Sequence, residues 1–184
     1  SKIHDIKVII HNNGPKEIFI DDALRDEFTS NNWDFELINS LSNKPLSIIY
    51  NDFIDSNDGF DVYSFLDDDT KISDEYVNQL IHENSEIELP KIFSKVDSKQ
   101  YYPIVDGVVY DSYGIIKHGD IFSIGSGLTV NQGLIIKFRK NNIKLFDENY
   151  ALYGVDFSFF RRVILLRKKG EVFSITSNSF LMHS

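Results

Sequence analysis

Three features of this sequence predict an α/β fold built on a mainly parallel sheet flanked by helices. Ile6 to Ile10 is a short apolar run that stops at the turn-forming Asn12-Asn13-Gly14-Pro15. Val62 to Leu66 repeats the pattern and stops at Asp67-Asp68-Asp69-Thr70. A helical pattern follows that second loop at once, giving the order strand, polar loop, helix. Open α/β sheets place their ligands beyond the carboxyl ends of such strands, so both loops are candidate binding elements.

The remaining elements follow from the same signals. Ser73 is placed to cap a helix that runs through about Glu83, with Asp74 and Glu75 in its first turn. Tyr76, Val77, Leu80 and Ile81 form its expected buried stripe. Residues 102–140 are rich in Gly, Val, Ile and Tyr and read as strands and loops. A second helix is expected from about Phe157 to Lys169, with Arg167, Lys168 and Lys169 in its last turn and Gly170 closing it. Val172 to Ile175 has a β pattern and leads towards the final Leu181-Met182-His183-Ser184.

Composition narrows the chemistry. At 184 residues, 42% hydrophobic and 14% aromatic, the chain has enough apolar material for one globular domain. It has no cysteine, which suits a reducing compartment and leaves oxygen and imidazole as its metal ligands. Its apolar runs, such as Val163 to Leu166, are far shorter than a membrane span, and no basic-then-apolar leader opens the sequence, so a soluble intracellular protein is expected. The net charge of −9 argues against a general nucleic-acid binder, because phosphate contact needs a basic face. Residues 131–184, however, hold nine of the 19 basic side chains and only four of the 28 acidic ones. The acidic part suits a divalent cation and the basic part an anionic ligand or membrane surface, while solvated faces of one domain account for such charges equally well.

Asp67-Asp68-Asp69 is the segment with most chemical content. Adjacent carboxylates at the end of a buried strand repel one another, and a hard cation such as Mg²⁺ or Mn²⁺ relieves that repulsion. An acidic turn leading a helix is the plainer reading. Phosphatases of the haloacid dehalogenase type carry D-x-D-x-T after an apolar strand, but here Thr70 falls one place early and Lys71 takes its position. Farther on, Ile124-Gly125-Ser126-Gly127-Leu128 sets two glycines around a serine, which lets backbone approach a ligand closely.

The order of these motifs resembles that of the family 2 glycosyltransferases, particularly the bacterial rhamnosyltransferase-like branch. Asn12-Asn13-Gly14-Pro15 stands where the family has a D-N-G-S type loop, and Phe65-Leu66-Asp67-Asp68-Asp69-Thr70 where it has a D-x-D motif after a strand. The serine-glycine loop, a segment like F-D-E-x-x-x-x-x-x-x-D-x-x-F-x-x-R at Phe146 to Arg162, and a late L-x-H at Leu181 to His183 complete the series. The stretch Asn43-Lys44-Pro45-Leu46-Ser47 to Tyr50-Asn51 is similar to the asparagine-bearing loop and helix that precede the D-x-D strand.

The resemblance implies a three-layer GT-A fold in one catalytic domain, with a nucleotide-binding part over about 1–95 and an acceptor-side part over about 96–184. It implies inverting, Mn- or Mg-dependent transfer of a sugar from a nucleotide diphosphate donor to a glycan or lipid-linked acceptor in bacterial surface polysaccharide synthesis. Asp67, Asp69 and His183 would hold the metal. Asn13 would contact the nucleotide base, Asp67 and Asp68 would face the donor, and Arg161 or Arg162 would help hold phosphate. Asp156 would be the general base that deprotonates the acceptor hydroxyl. The expected location is cytoplasmic, with peripheral contact at the inner face of the plasma membrane.

Simpler roles stand beside these: a helix cap for Asp156, a surface residue for His183, and a polar helix edge for the arginines. His4, His11, His82 and His118 have no metal spacing and read as structural or surface residues. The family pattern normally opens with a further strand and helix and continues past the histidine, so the chain is expected to be a fragment or a reduced variant. Rival readings are a Mg-dependent phosphatase or nucleotidyltransferase, and a carbohydrate-binding remnant without catalysis.

Overall fold

The run after Ile6 forms a strand, β1 (Lys7–Asn12), which pairs in parallel with β2 (Asp34–Asn39) through α1 (Asp22–Ser30). In this computed structural model, residues 6–82 and 84–184 are described. His4 and Glu83, both named in the sequence reading, lie outside them. The chain divides into two compact units, Ser1–Pro45 and Leu46–Ser184.

In the first unit, Asp21 caps α1 by accepting the Leu24 N–H at 2.8 Å. Phe28 of α1 stacks on Phe35 of β2, with ring centroids 4.7 Å apart. Asn39 fixes the loop after β1: its Oδ1 accepts Asn12 Nδ2 at 2.6 Å and the Ile18 N–H at 3.0 Å.

The second unit begins with α2 (Leu46–Ser56), β3 (Val62–Ser64), β4 (Lys71–Ile72) and α3 (Asp74–His82). A run of short strands follows: β5 (Ile87–Glu88), β6 (Lys91–Ser94), β7 (Gln100–Tyr102), β8 (Ile104–Val105), β9 (Val108–Val109), β10 (Gly114–Ile115), β11 (Ile121–Phe122) and β12 (Thr129–Asn131). It ends with α4 (Gln132–Lys140), α5 (Val155–Lys168), β13 (Ile175–Ser177) and β14 (Phe180–His183). The architecture is mixed α and β, with five helices among the described residues.

The sheet at the centre of this unit is mixed, which corrects the expectation of a mainly parallel one. Its order is β10-β13-β5-β12-β3; β13 runs parallel to β5, and the other three pairings are antiparallel. An apolar run carries no record of its neighbour's direction, because a strand buried on both faces looks alike in either pairing. The path of the chain decides it: β12 enters between β3 and β5 against both. A second sheet, β4-β14-β6-β7, borders the acidic loop.

Three local expectations also change. Residues 132–140 form a helix rather than strand or loop, because the Asn131 side chain accepts the Leu134 N–H at 3.1 Å and Leu134, Ile135 and Phe138 bury one face. In α3, Tyr76 is buried and Leu80 half-buried, but Val77 and Ile81 are exposed, so the apolar stripe is only partly covered. The second apolar run is a strand only over Val62–Ser64, although Phe65 continues the ladder by donating its N–H to the Leu128 carbonyl at 3.0 Å. The Ser73 cap is present, its hydroxyl accepting the Tyr76 N–H at 3.1 Å. Among the described residues, no helix is long and apolar enough to cross a membrane.

The core of the second unit is strongly aromatic. Phe146, fully buried, contacts Tyr50, Phe65 and Phe159 with centroid distances of 5.0, 5.3 and 5.6 Å. It therefore joins α2, the strand that leads into the acidic loop, and α5. Replacing Phe146 with Ala is expected to lower unfolding free energy by about 3–5 kcal/mol, read as a reduced urea midpoint, because rigid elements on three sides hinder collapse of the cavity.

Candidate functional site

The acidic loop leaves the core at Phe65 and turns back at Asp67, whose carbonyl accepts the Thr70 N–H at 3.1 Å. Lys71 and Ile72 then pair antiparallel with Met182 and Leu181. Continuing that register by one residue sets Thr70 opposite His183. The contact is made: Thr70 Oγ1 lies 3.0 Å from His183 Nδ1, and Asp69 Oδ1 lies 3.2 Å from the same nitrogen.

Ligand atoms of Asp67, Asp69 and His183 all lie within 4.8 Å of one another. Both aspartates are exposed and the histidine half-buried. Two carboxylates and an imidazole make a donor set that fits a hard or borderline divalent cation, with other positions left to water or phosphate oxygen.

Neighbouring groups from the glycine–serine–glycine loop and from Lys95 hold this arrangement. The buried Ser126 hydroxyl lies 2.5 Å from Thr70 Oγ1 and accepts the Asp67 N–H at 3.2 Å, so one hydroxyl pair links the start of the acidic loop to the terminal histidine. Lys95 donates its N–H to the His183 carbonyl at 2.9 Å, and its Nζ donates to the Asp69 carbonyl. Gly127 sits at φ +86, and a Cβ there would meet Leu181 Cδ1 and Pro90 Cγ at 2.5 Å, so glycine permits the close approach. The glycine–serine–glycine string gave notice of this loop; Lys95 carried no sequence signal.

Asp156 lies in the first turn of α5 and is half-buried. Gly125 packs so tightly against it that a Cβ would stand 2.7 Å from Asp156 Oδ1. Burial is the largest influence on its carboxyl and pushes its pKa up; the Gly125 N–H opposes this, and the Asp67 charge raises it further. Asp67 is also pushed up, by desolvation of its carboxyl first, with His183 opposing and Asp69 and Asp68 adding to the rise. Tyr50 is held as a neutral phenol by burial and then by Asp67 and Asp156 together. The two carboxylates and the phenol therefore share one electrostatic neighbourhood.

The loop before Asp156 is anchored by α2. Asn51 donates to the Phe146 carbonyl at 2.9 Å and to Glu148 Oε1 at 3.2 Å, and accepts the Phe146 N–H at 3.2 Å. Ser47 Oγ donates to the Tyr150 carbonyl at 2.5 Å. Asp156 is the first-turn acid of α5, where its charge also suits the helix dipole, but the residue preceding the helix, Gly154, provides no side-chain cap.

Other candidate residues have different surroundings. Arg161 is exposed and lies over the Phe157 ring at 5.5 Å, whereas Arg162 pairs with Asp147 at 2.9 Å and donates to the Lys144 carbonyl at 2.6 Å. Asp68 is exposed beside Asp67. Asn13 belongs to the first unit, where its Nδ2 donates to the Lys44 carbonyl at 2.8 Å and its Oδ1 accepts the Lys44 N–H at 2.9 Å. A cavity of about 300 Å³ beside Asn51, Ile135, Arg139 and Lys144 includes none of the cluster residues. No family model, curated protein or solved structure matches this chain.

The raised pKa of Asp156 has a definite sign in stability. A carboxyl whose native pKa lies above its unfolded value binds more protons in the native state, so stability falls as pH rises through that interval and stays lower above it. Asp156→Asn is therefore expected to raise the melting temperature at neutral pH, with the gain shrinking to nothing as pH falls below the ordinary aspartate range. Thermal scans of both proteins across pH check this.

Proposed function

We propose that this chain is an inverting glycosyltransferase of GT-A-like architecture that moves a sugar from a nucleotide diphosphate donor to a glycan or lipid-linked acceptor. The observation that carries the reading is the convergence of Asp67 and Asp69 with His183, more than a hundred positions later in the sequence, and with Asp156 within electrostatic range. These are the residues for which the family resemblance implies a metal shell and a base.

Asp67, Asp69 and His183 would hold Mn²⁺ or Mg²⁺. Such an ion supplies Lewis-acid compensation for charge developing on the leaving diphosphate. Asp156 acts on the acceptor: it takes the hydroxyl proton as that oxygen bonds to the anomeric carbon and the bond to diphosphate breaks on the opposite face. Its desolvation supports the role, since a carboxylate with a raised pKa is a stronger base than one in water. Asp68 and Arg161 remain the proposed donor contacts. The acceptor, the polysaccharide pathway and a cytoplasmic site of action belong to the same proposal.

The test is calorimetric titration with UDP, dTDP, GDP and CMP, each with and without Mn²⁺. Metal-dependent binding of one nucleotide is expected, and absence of binding by all four overturns the reading. Turnover of nucleoside triphosphates or phosphoesters would favour the nucleotidyltransferase or phosphatase alternative, and donor binding without transfer the non-catalytic one. Asp69→Ala should lose metal-dependent donor binding. Asp156→Asn should keep that binding and lose transfer by about 10²–10⁴-fold.

Thr70 is placed to orient His183, so Thr70→Val should weaken Mn²⁺ affinity by about 10–100-fold and Thr70→Ser should restore it, measured by electron paramagnetic resonance titration of free Mn²⁺.

A further inference from the structure

A second group of charged side chains converges at the other end of α5. Lys117, His118 and Gly119 from the loop after β10, with Arg167, Glu171 and Val172 from the end of α5 and beyond, line a cavity of about 300 Å³. It shares no residue with the carboxylate cluster. The volume is at the lower limit of small-ligand sites, about 300–1,000 Å³.

The loop is built rather than loose. Gly119 has φ +100, and a Cβ there would meet Asp106 Oδ2 and Val105 Cγ1 at 2.6 Å. Asp106 Oδ1 accepts the Asp120 N–H at 2.8 Å, and the Asp106 N–H donates to the Asp120 carbonyl at 3.0 Å. Held this way, the Gly119 carbonyl accepts Arg167 Nη1 at 2.9 Å.

That is the single side-chain hydrogen bond of Arg167 among the described residues, although a guanidinium carries five N–H donors. Among the same residues, no carboxylate comes within 4.0 Å of Arg167 or Lys117. Burial is the main influence on Arg167 and lowers its pKa, with the Asp120 charge opposing from farther off. Glu171, the acid in the lining, is engaged by Asn141 Nδ2 at 3.0 Å and by Lys140 at 4.0 Å. Lys168 and Lys169, both exposed, follow Arg167 directly in the chain and add positive charge at this end of α5. Basic residues in a last turn complement the helix dipole, but Lys117 and His118 come from a different element, so the dipole does not account for them.

A half-buried guanidinium with unfilled donors is completed most favourably by an oxyanion. We propose that this cavity binds a phosphate group, with Arg167 bonding its oxygens, Lys117 supplying a point charge and His118 at the edge of the site. The group belongs to a soluble phosphate ester or to a lipid headgroup. Val172 in the lining, 78% exposed, gives the apolar margin that a lipid surface would cover. The site stands independently of the sugar-transfer reading.

The experiment follows side-chain NMR signals of Arg167 and Lys117 in the full chain at constant ionic strength. Inorganic phosphate, glycerol 3-phosphate, and phosphatidylcholine vesicles with and without phosphatidylglycerol are titrated in turn. Saturable shifts are expected, with affinity falling about tenfold or more in Arg167→Gln and Lys117→Gln. Lys117 is exposed, so its substitution tests the site even where Arg167→Gln unfolds the chain. Saturation by the soluble phosphates identifies a small ligand, and a response only to phosphatidylglycerol vesicles identifies a lipid headgroup. No saturable shift with any probe, or unchanged affinity in Lys117→Gln, overturns the proposal.

Discussion

The pairing of the last strand with the residues that follow the acidic loop is the constraint on which the candidate site depends. β14 lies between β4, antiparallel to it, and β6, parallel to it. Side chains alternate across a strand, so a slip of one residue would turn His183 away from Asp69 and carry the buried Leu181 out of the core. Leu181 prevents that slip by filling the space that Gly127 leaves open. Lys95 adds a second restraint, since one residue bonds to the backbone of both His183 and Asp69.

The site built on this register is electrostatically expensive. Asp67, Asp68 and Asp69 repel one another, and Asp67 also raises the pKa of Asp156. His183 beside Asp69 and Asp67 offsets part of that repulsion. The aromatic layer of Tyr50, Phe65, Phe146 and Phe159 gives the loop a firm base, and the Asn51 amide fixes the turn from Phe146 to Glu148 with every bond made from a buried side chain. Burial energy in this layer supports charges that would otherwise separate.

Much of this was legible where the signal is local. Ser73 followed by two acids marks a helix start whatever surrounds it, and α3 begins there. Gly170 after three basic residues marks the end of α5. The α4 helix was hidden by its composition: Leu134, Ile135 and Ile136 suit a strand as well as a helix, and the Asn131 cap was the one cue that separated them. Val77 and Ile81 fit the helical period but remain exposed, because periodicity gives a face and not what covers it.

The sequence by itself determined the alternation of apolar runs and polar loops, the caps of its clearest helices, the concentration of carboxylates at Asp67 to Asp69, and the separation of acidic from basic charge along the chain. Those properties arise from neighbours within a few residues. The tertiary structure alone decided that the central sheet is mixed, that His183 meets both Thr70 and Asp69, that Gly125 packs on the desolvated Asp156 while Tyr50 feels its charge, and that Lys117 shares a cavity with Arg167. Each is a contact between distant segments, set by strand register and core packing, which residue order alone does not record.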